Sequence, residues 1–505
     1  MPAIPPSALT WPDYAVLAGA LALLLVIGVG FTRGQRDTAD FFLARRRIPW
    51  WAACLSFLAT EISAVTIISV PATAYSENWE YVQFFVGSSL AKLAVALVFI
   101  PAFYRHDVTT IYEFLLHRFG RASQVTASVF FFVTRLLGSG VRLMAAALAV
   151  SILLNWPLAP TIAVFVAVSI LYIAAGGVKA IVWTNVFQAL VFLVAGAATL
   201  GFLLGRIEGG LGTVLEVAGR AGRLDVVNWG PAPGAPDFWR RVLTEPSIVW
   251  IAVLNGLVGS MAAFGTDHDL MQRLLAVETR RESQRTLILT PLGTLLTLAI
   301  YLGLGAALYT FYTLHPALPA SRPDDILPHF VQQVMPAALR GLMLSAIVLA
   351  SIDSPLGSLA ASFVTDIYRP LIKRGASEAH YLRVSRFGVV GFGLVLALIA
   401  VACKPLDGIL WLAFQVLSVT GGATLGVFLL GLLTKRQGNI ANVLAMLLSA
   451  VGMAVLLVLS RMKLIDLGWS WLIVIGTAAT FVFGYLFSLI EERGRRRKAL
   501  KGTEA

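Results

Sequence analysis

Apolar runs long enough to cross a bilayer follow one another along almost the whole chain, separated by short polar joints. About 20 apolar residues span a membrane as a helix. Thirteen stretches approach or exceed that length: 13–32, 50–76, 82–104, 122–154, 160–175, 178–204, 246–265, 286–312, 339–365, 385–403, 408–433, 439–460 and 468–490. Backbone amides in hydrocarbon must pair within the segment, so each run predicts a helix. The expected fold class is an all-α polytopic membrane protein with 13 transmembrane helices. The joints at 155–160 and 176–178 are so tight that the fifth span nearly merges with its neighbours. The more polar stretches 205–245 and 313–338 predict loops with short helices.

Composition agrees. Of 505 residues, 58% are hydrophobic and 13% charged, against about 45–50% and about 25% in soluble domains. This excludes a cytosolic enzyme, a disulfide scaffold and a disordered chain. Cys54 and Cys403 lie in apolar runs and make neither a framework nor a metal cluster. The net charge of +12 resembles a nucleic-acid signal, but its placement says otherwise. One set of alternate loops holds 26 of the 39 Lys and Arg, the other set 10. The richer set is expected on the cytoplasmic side, which puts the N-terminus outside and the C-terminus inside. Asp13 precedes the first span and Arg33, Arg36 and Arg45 follow it, the reverse of a cleaved signal peptide. Walker A, HExxH and paired CxxC patterns are absent from the sequence, and no nucleophile–base constellation supports an enzyme.

Spans two to six and seven to eleven form two blocks of five, residues 50–204 and 246–433. Five is odd, so two successive copies lie in opposite orientations, the geometry of an inverted repeat. Residues 1–49 then hold an extra span and a basic loop, 205–245 an outer loop, and 434–505 two closing spans with a basic tail. In transporters of this plan the helices forming the site are interrupted near mid-membrane. Span two carries Glu61, Ser63, Thr66 and Pro71, and span seven carries Asn255, Gly256, Gly259, Ser260 and Gly265. Breaks are expected within 57–70 and 252–266.

Four stretches carry a family likeness: FLATEISAVTIISVPATAY (57–75), LYIAAGGVKAIVWTNVFQ (171–188), GLMLSAIVLASIDSPLGSLAASFVTDIY (341–368) and GATLGVFLLGLLTKR (422–436). In them the chain resembles the sodium:solute symporter family. The resemblance implies the leucine-transporter fold, a five-plus-five inverted repeat with one helix in front and two behind. It implies secondary active transport by alternating access in the plasma (inner) membrane. Its partners would be a small solute, the sodium ion and the bilayer, with no organic cofactor. By the family's motif, sodium takes the carbonyls of Ala59, Ile62 and Ile347 and hydroxyls at two successive positions, here Ala350 and Ser351. Ala350 has no oxygen to offer. A second site in some relatives uses an aspartate where this chain has Asn185. Asp353 and Ser354 stand near in sequence, so Asp353 is expected to join Ser351, Ser354 and Asn185 around a cation. Asp267, His268 and Asp269 match the family's polar stretch at the inner end of span seven, implying an inner gate.

Five ionisable side chains fall within spans: Glu61, Lys92, Arg135, Arg142 and Asp353. Each costs about 2.5–3.5 kcal/mol at a helix centre, so each must pair, meet water or bind a ligand. One basic residue is in excess. Arg135 and Arg142 share a helix face, and a guanidinium grips a carboxylate bidentately. In sialic-acid-type relatives an arginine on this helix does so, although the matching position here aligns nearer Gly138. Positions that recognise sugars in the family read Ala262, Ala263, Phe264 and Phe85, with Gln83 nearby. That favours an organic anion of sialic-acid or monocarboxylate type over a hexose. Glu61, Ser63, Thr66, Gln83 and Gln415 complete the expected solute site. Alternatives stay open: structural ion pairing of the arginines, proton coupling through Glu61 or Asp353, a sodium-independent facilitator or transporter-like sensor, and a sugar as substrate.

Overall fold

The computed structural model describes residues 9–30, 37–154, 156–316, 322–352, 355–402 and 409–502. Among these the chain is helical, with two isolated bridges, Ile48 to Val277 and Asn228 to Ile248, as its only extended pairings. The first helix, α1 (Trp11–Gly30), is followed by α2 (Trp50–Glu61), α3 (Ala64–Ser76), α4 (Tyr81–Arg105) and α5 (Arg121–Leu154). One helical run, Leu158–Leu204, divides at Gly177 into α6 (158–176) and α7 (178–204). Next come α8 (Val249–Gly265), α9 (His268–Leu275), α10 (Arg280–Leu314), α11 (Leu339–Ile352) and α12 (Leu356–Ser362). The chain closes with α13 (Glu378–Ala402), α14 (Ile409–Leu433), α15 (Ile440–Arg461) and α16 (Trp469–Gly502). Eight helices among the described residues are long and apolar enough to cross a membrane, and ten spans result when each bent pair, α2–α3 and α8–α9, counts as one. Two shorter apolar helices, Leu339–Ala350 and Leu417–Leu433, fall within α11 and α14.

Gly177 accounts for the tight joint at 176–178. Its φ of 56° and ψ of −152° lie where a residue with a Cβ is strained. The 47-residue run would be roughly 70 Å long if straight, more than twice the ~30 Å hydrocarbon core. The break lets two spans follow one another without a loop.

Close packing joins the two blocks. Gly87 of α4 and Gly256 of α8 face each other, and a Cβ on either would collide with the other helix's backbone, at Val253 and Phe84 respectively. Small residues allow this approach, which is how helices associate without a hydrophobic driving force between them.

Loop contacts sort into two sets, one at each end of the bundle. At one end Arg340 binds Asp13 at 2.5 Å, Gln83 donates to the Ser247 carbonyl at 2.8 Å, and Trp471 Nε1 donates to the Val242 carbonyl at 3.0 Å. At the other end Arg46 pairs with Asp107 at 2.9 Å, Arg118 donates to the Gly431 carbonyl at 2.9 Å, and Arg436 pairs with Glu492 at 3.1 Å. The second set comprises the loops rich in Lys and Arg. Stretches 205–245 and 313–338 carry the short helices Gly210–Arg220, Phe238–Thr244 and Ile326–Gln333.

Candidate functional site

Helix α2 ends because Ile62 leaves the helical region (φ −80°, ψ 105°) and Ser63 starts α3 as its cap. Ser63 and Thr66 form a reciprocal capping box, in which the Thr66 hydroxyl accepts from the Ser63 N–H at 3.2 Å. In a continuous helix that N–H would cap the Ala59 carbonyl. The two halves meet at 56°.

The second break lies further along than the sequence implies. Helix α8 runs uninterrupted through Asn255, Gly256, Gly259 and Ser260 to Gly265, then bends by 62° into α9. The turn falls at Thr266 and Asp267, and Asp267 caps α9 by accepting from the Asp269 N–H at 2.8 Å. Gly256 serves helix packing instead, and Asn255 donates to the Ser470 carbonyl at 2.7 Å.

A cavity of about 230 Å³ lies among α2–α3, α4, α5, α8 and α10. Tyr81, Phe84, Phe85 and Phe264 give it an aromatic wall. Ser63, Thr66, Thr134, Ser139 and Thr294 add hydroxyls, and Glu61, Arg135, Arg142 and Asp267 add charge. A smaller cavity of about 30 Å³ opens beside the first break, enough for one ion or water. Thr60, Ile62, Ser63 and Ala350 line it together with Arg135, Ser139 and Arg142.

The basic side chains are held in different ways. Lys92 is fully buried and donates to both oxygens of Glu61, at 2.7 and 3.0 Å, while the Thr294 hydroxyl donates to Glu61 at 3.0 Å. Glu61 therefore faces the cavity with its charge already matched. Arg135 reaches Asp267 at 3.3 Å and also binds Asp269. Asp269 further accepts from Arg273 at 3.1 Å and from the Ser358 hydroxyl at 2.9 Å. The Tyr112 hydroxyl donates to the Thr266 carbonyl at 3.0 Å. This network ties α9 to α5 and α12 and bounds the cavity on the Asp267 side. Arg142 lines both cavities.

Of the expected cation residues, Ile62 reaches the small cavity, and Ala59 and Ile347 are buried on the flanking helices. The Ser351 side chain, Asp353 and Ser354 lie outside the described residues. Asn185 does not line either cavity. Its carboxamide sits 3.2 Å from Ser56 Oγ and 3.1 Å from Thr60 Oγ1. With its oxygen toward those hydroxyls it also faces Arg273 at 3.3 Å, and its nitrogen donates to Gln188 Oε1 at 2.9 Å.

Three expected residues belong elsewhere. Gln83 is buried at the end of the bundle that holds Ser247, donating to Glu80 and Ser247 and accepting from the Asn228 N–H at 3.2 Å. Gln415 accepts from Arg461 at the same end. Among the described residues neither ring nitrogen of His268 has a hydrogen-bond partner; the ring packs against Tyr112 and Phe131 at 6.3 Å centroid distance. Ser63, Thr66, Glu61, Arg135, Arg142 and Asp267 do converge on the large cavity. Tyr81, Ser139 and Thr294 are lining residues that sequence reasoning missed. Ser139 lies one turn from both Arg135 and Arg142, so helical spacing would have found it.

A model of the sodium:solute symporter family matches residues 41–459. The chain is 29% identical over 484 residues to the sodium/sialic acid symporter SiaT of Proteus mirabilis, covering 94% of each protein. It is 28% identical over 450 residues to the human sodium-coupled monocarboxylate transporter 1, covering 86% of this chain and 71% of that protein. A solved structure described as the substrate-bound outward-open state of a Na+-coupled sialic acid symporter superposes with a TM-score of 0.84 at 25% identity. That likeness covers 95% of this chain and 98% of the other. With the match running over most of its length, the chain belongs to the sodium:solute symporter family and is a membrane transporter, not an enzyme.

Proposed function

We propose that the protein carries a small carboxylate-bearing solute inward together with sodium, by alternating access. One observation carries the reading: Arg142 lines both the solute-sized cavity and the ion-sized one beside the first helix break. Arg135 lines them too and holds Asp267 and Asp269 beside the same space. We assign the solute carboxylate to Arg142, with Ser63, Thr66 and the aromatic wall around the rest of the molecule. Phe85, Ala263 and Phe264 at the cavity favour an organic anion over a hexose. Relatives named for sialic acid and for monocarboxylates transport point the same way.

Sodium sits at the first break, on carbonyls of Ala59, Ile62 and Ile347 and the hydroxyl of Ser351, with Asp353 and Ser354 as further contributors and Asn185 behind them on Thr60. Asp267 gates the cytoplasmic side. Thirteen spans, an outer N-terminus and an inner C-terminus fit the sorting of loop contacts into a basic and a less basic end. The pairing of bent spans at the head of residues 50–204 and 246–433 supports the inverted repeat. The plasma (inner) membrane is the location this implies.

Proteoliposome uptake of labelled N-acetylneuraminate and lactate tests the reading, with an inward sodium gradient and equal pH on both sides. Uptake of one or both should collapse when choline replaces sodium. Undiminished uptake in choline, or uptake driven by a pH gradient alone, sinks sodium coupling.

A further inference from the structure

We infer that Asp366 is a proton-binding site at the Lys- and Arg-rich end of the bundle, and that its proton holds the second helix break shut at that end. Asp366 lines neither cavity. It lies in a π-helical stretch, Phe363–Ile372, one residue past the 339–365 run, and is fully buried. Three parts of the chain converge on it. Thr110, in the segment joining α4 to α5, donates to Oδ1 at 2.6 Å, and Gln124 of α5 donates to the same oxygen at 2.8 Å. Ser128 of α5 and Ser362 of α12 donate to Oδ2 at 3.0 and 2.7 Å. All four donors are neutral. The charged groups on the surrounding elements are engaged elsewhere. Glu113 accepts from the Thr109 and Thr110 N–H groups, and Asp107 pairs with Arg46. Arg118 donates to the Gly431 carbonyl and Arg121 to the Pro370 carbonyl. Arg369 of the same stretch pairs with Glu378 of α13, and His380 meets the Tyr368 hydroxyl. Arg383 and Arg386 of α13 are exposed.

These partners serve a carboxylate and a carboxylic acid equally well. Hydroxyls rotate between donor and acceptor, which a lysine or arginine cannot do. Gln124 is 2% exposed, and its Oε1 has no hydrogen-bond partner among the described residues. Through Nε2 it donates to the charged carboxylate; with the amide turned over, Oε1 accepts from the protonated one. Burial pushes the Asp366 carboxyl up to about 7, against the Thr110, Ser362 and Gln124 hydrogen bonds that lower it. Opened to water it would return to about 3.9. The closed form therefore binds the proton more tightly, and that preference is lost as pH rises through about 7. The link to the second break is two residues long. The Tyr112 hydroxyl donates to the Thr266 carbonyl at 3.0 Å, so one short segment is fastened to Asp366 by Thr110 and to the turn before Asp267 by Tyr112. Losing the proton leaves a buried charge without a counter-ion, a cost that water relieves when the segment lifts.

The test follows the full chain by two readouts. Infrared difference spectra in lipid nanodiscs, between acid and alkaline buffer, should show a carboxylic-acid C=O band whose midpoint lies well above the ordinary carboxylate range. Asp366→Asn should remove that band and Glu61→Gln should leave it. Sodium-driven uptake of labelled N-acetylneuraminate or lactate is then measured with pH equal on both sides of the proteoliposome. Uptake should fall at least about fivefold on acidification, the low end of site–site coupling. Asp366→Asn, a fixed neutral stand-in for the protonated acid, should be slow at every pH. Thr110→Val, which frees the segment from Asp366, should be fast at every pH. Opposite rates with the same flat profile are not what a merely structural role produces. Absence of a band that Asp366→Asn removes, or an uptake profile that this variant leaves unchanged, overturns the inference. If neither acid is taken up, the transport reading fails, and the proton site stands or falls on the infrared band.

Discussion

The two helix breaks share a backbone device and differ in charge. Each second half starts on a side-chain cap, Ser63 for α3 and Asp267 for α9, and each span bends by about 60°, at 56° and 62°. At 62–63 the cap is neutral, and the nearby Glu61 is matched by Lys92. At 266–267 the cap is a carboxylate, and Arg135, Asp269 and Arg273 crowd the turn. A neutral break leaves carbonyls and hydroxyls for a cation that comes and goes. An ionic break is suited to a latch, because its own charges already satisfy one another. The position of each break along its span follows the same division: the first opens onto both cavities, the second bounds one of them.

The largest effect should come from the ionic break. Asp269→Asn leaves Arg135 and Arg273 buried with too little counter-charge, and removing one partner from a buried network costs about 3–5 kcal/mol. Thermal unfolding should shift down markedly and uptake should fall with it. An unchanged melting temperature would show that the latch contributes nothing to the resting fold. A comparable cost is expected for Lys92→Met, which strands Glu61. The double variant Lys92→Met with Glu61→Gln should recover most of that stability and retain sodium-driven uptake. Recovered stability with lost uptake would mean that Glu61 has a transport role of its own.

At the neutral break the expected cost is smaller and more specific. Ser63→Ala removes the cap, about 0.5–2 kcal/mol, and should raise the sodium concentration for half-maximal uptake by more than the small stability loss implies. A shift in stability with no change in sodium dependence would separate the break from the ion. The smallest effect belongs to Gln415→Ala, which sits with Arg461 at one end of the bundle. It should change stability by no more than about 0.5 kcal/mol and leave the apparent solute affinity alone. A weakened solute KM would return Gln415 to the cavity.

The first break was legible because Glu61, Ser63 and Thr66 interrupt an apolar run within six residues. The second was misplaced because Asn255 and Gly256 look like helix breakers in one dimension. Their partners, Ser470 and the backbone at Phe84, are distant in sequence, and only the fold reveals that they hold the helix in place. Gln83 and Gln415 misled for the same reason. A lone amide in an apolar run signals a buried hydrogen bond, without saying whether a solute or a loop completes it. Charge told more. The excess of basic residues within spans pointed to an anion. Arg273 belongs to the buried ion network because α9 folds inward after Asp267.

Simultaneous measurement of ²²Na⁺ and labelled-solute entry into the same proteoliposomes tests the central claim most directly. The account predicts that both enter together in a fixed ratio, and that Ser63→Ala depresses both fluxes while preserving that ratio. Solute entry that proceeds with no accompanying sodium flux would contradict it.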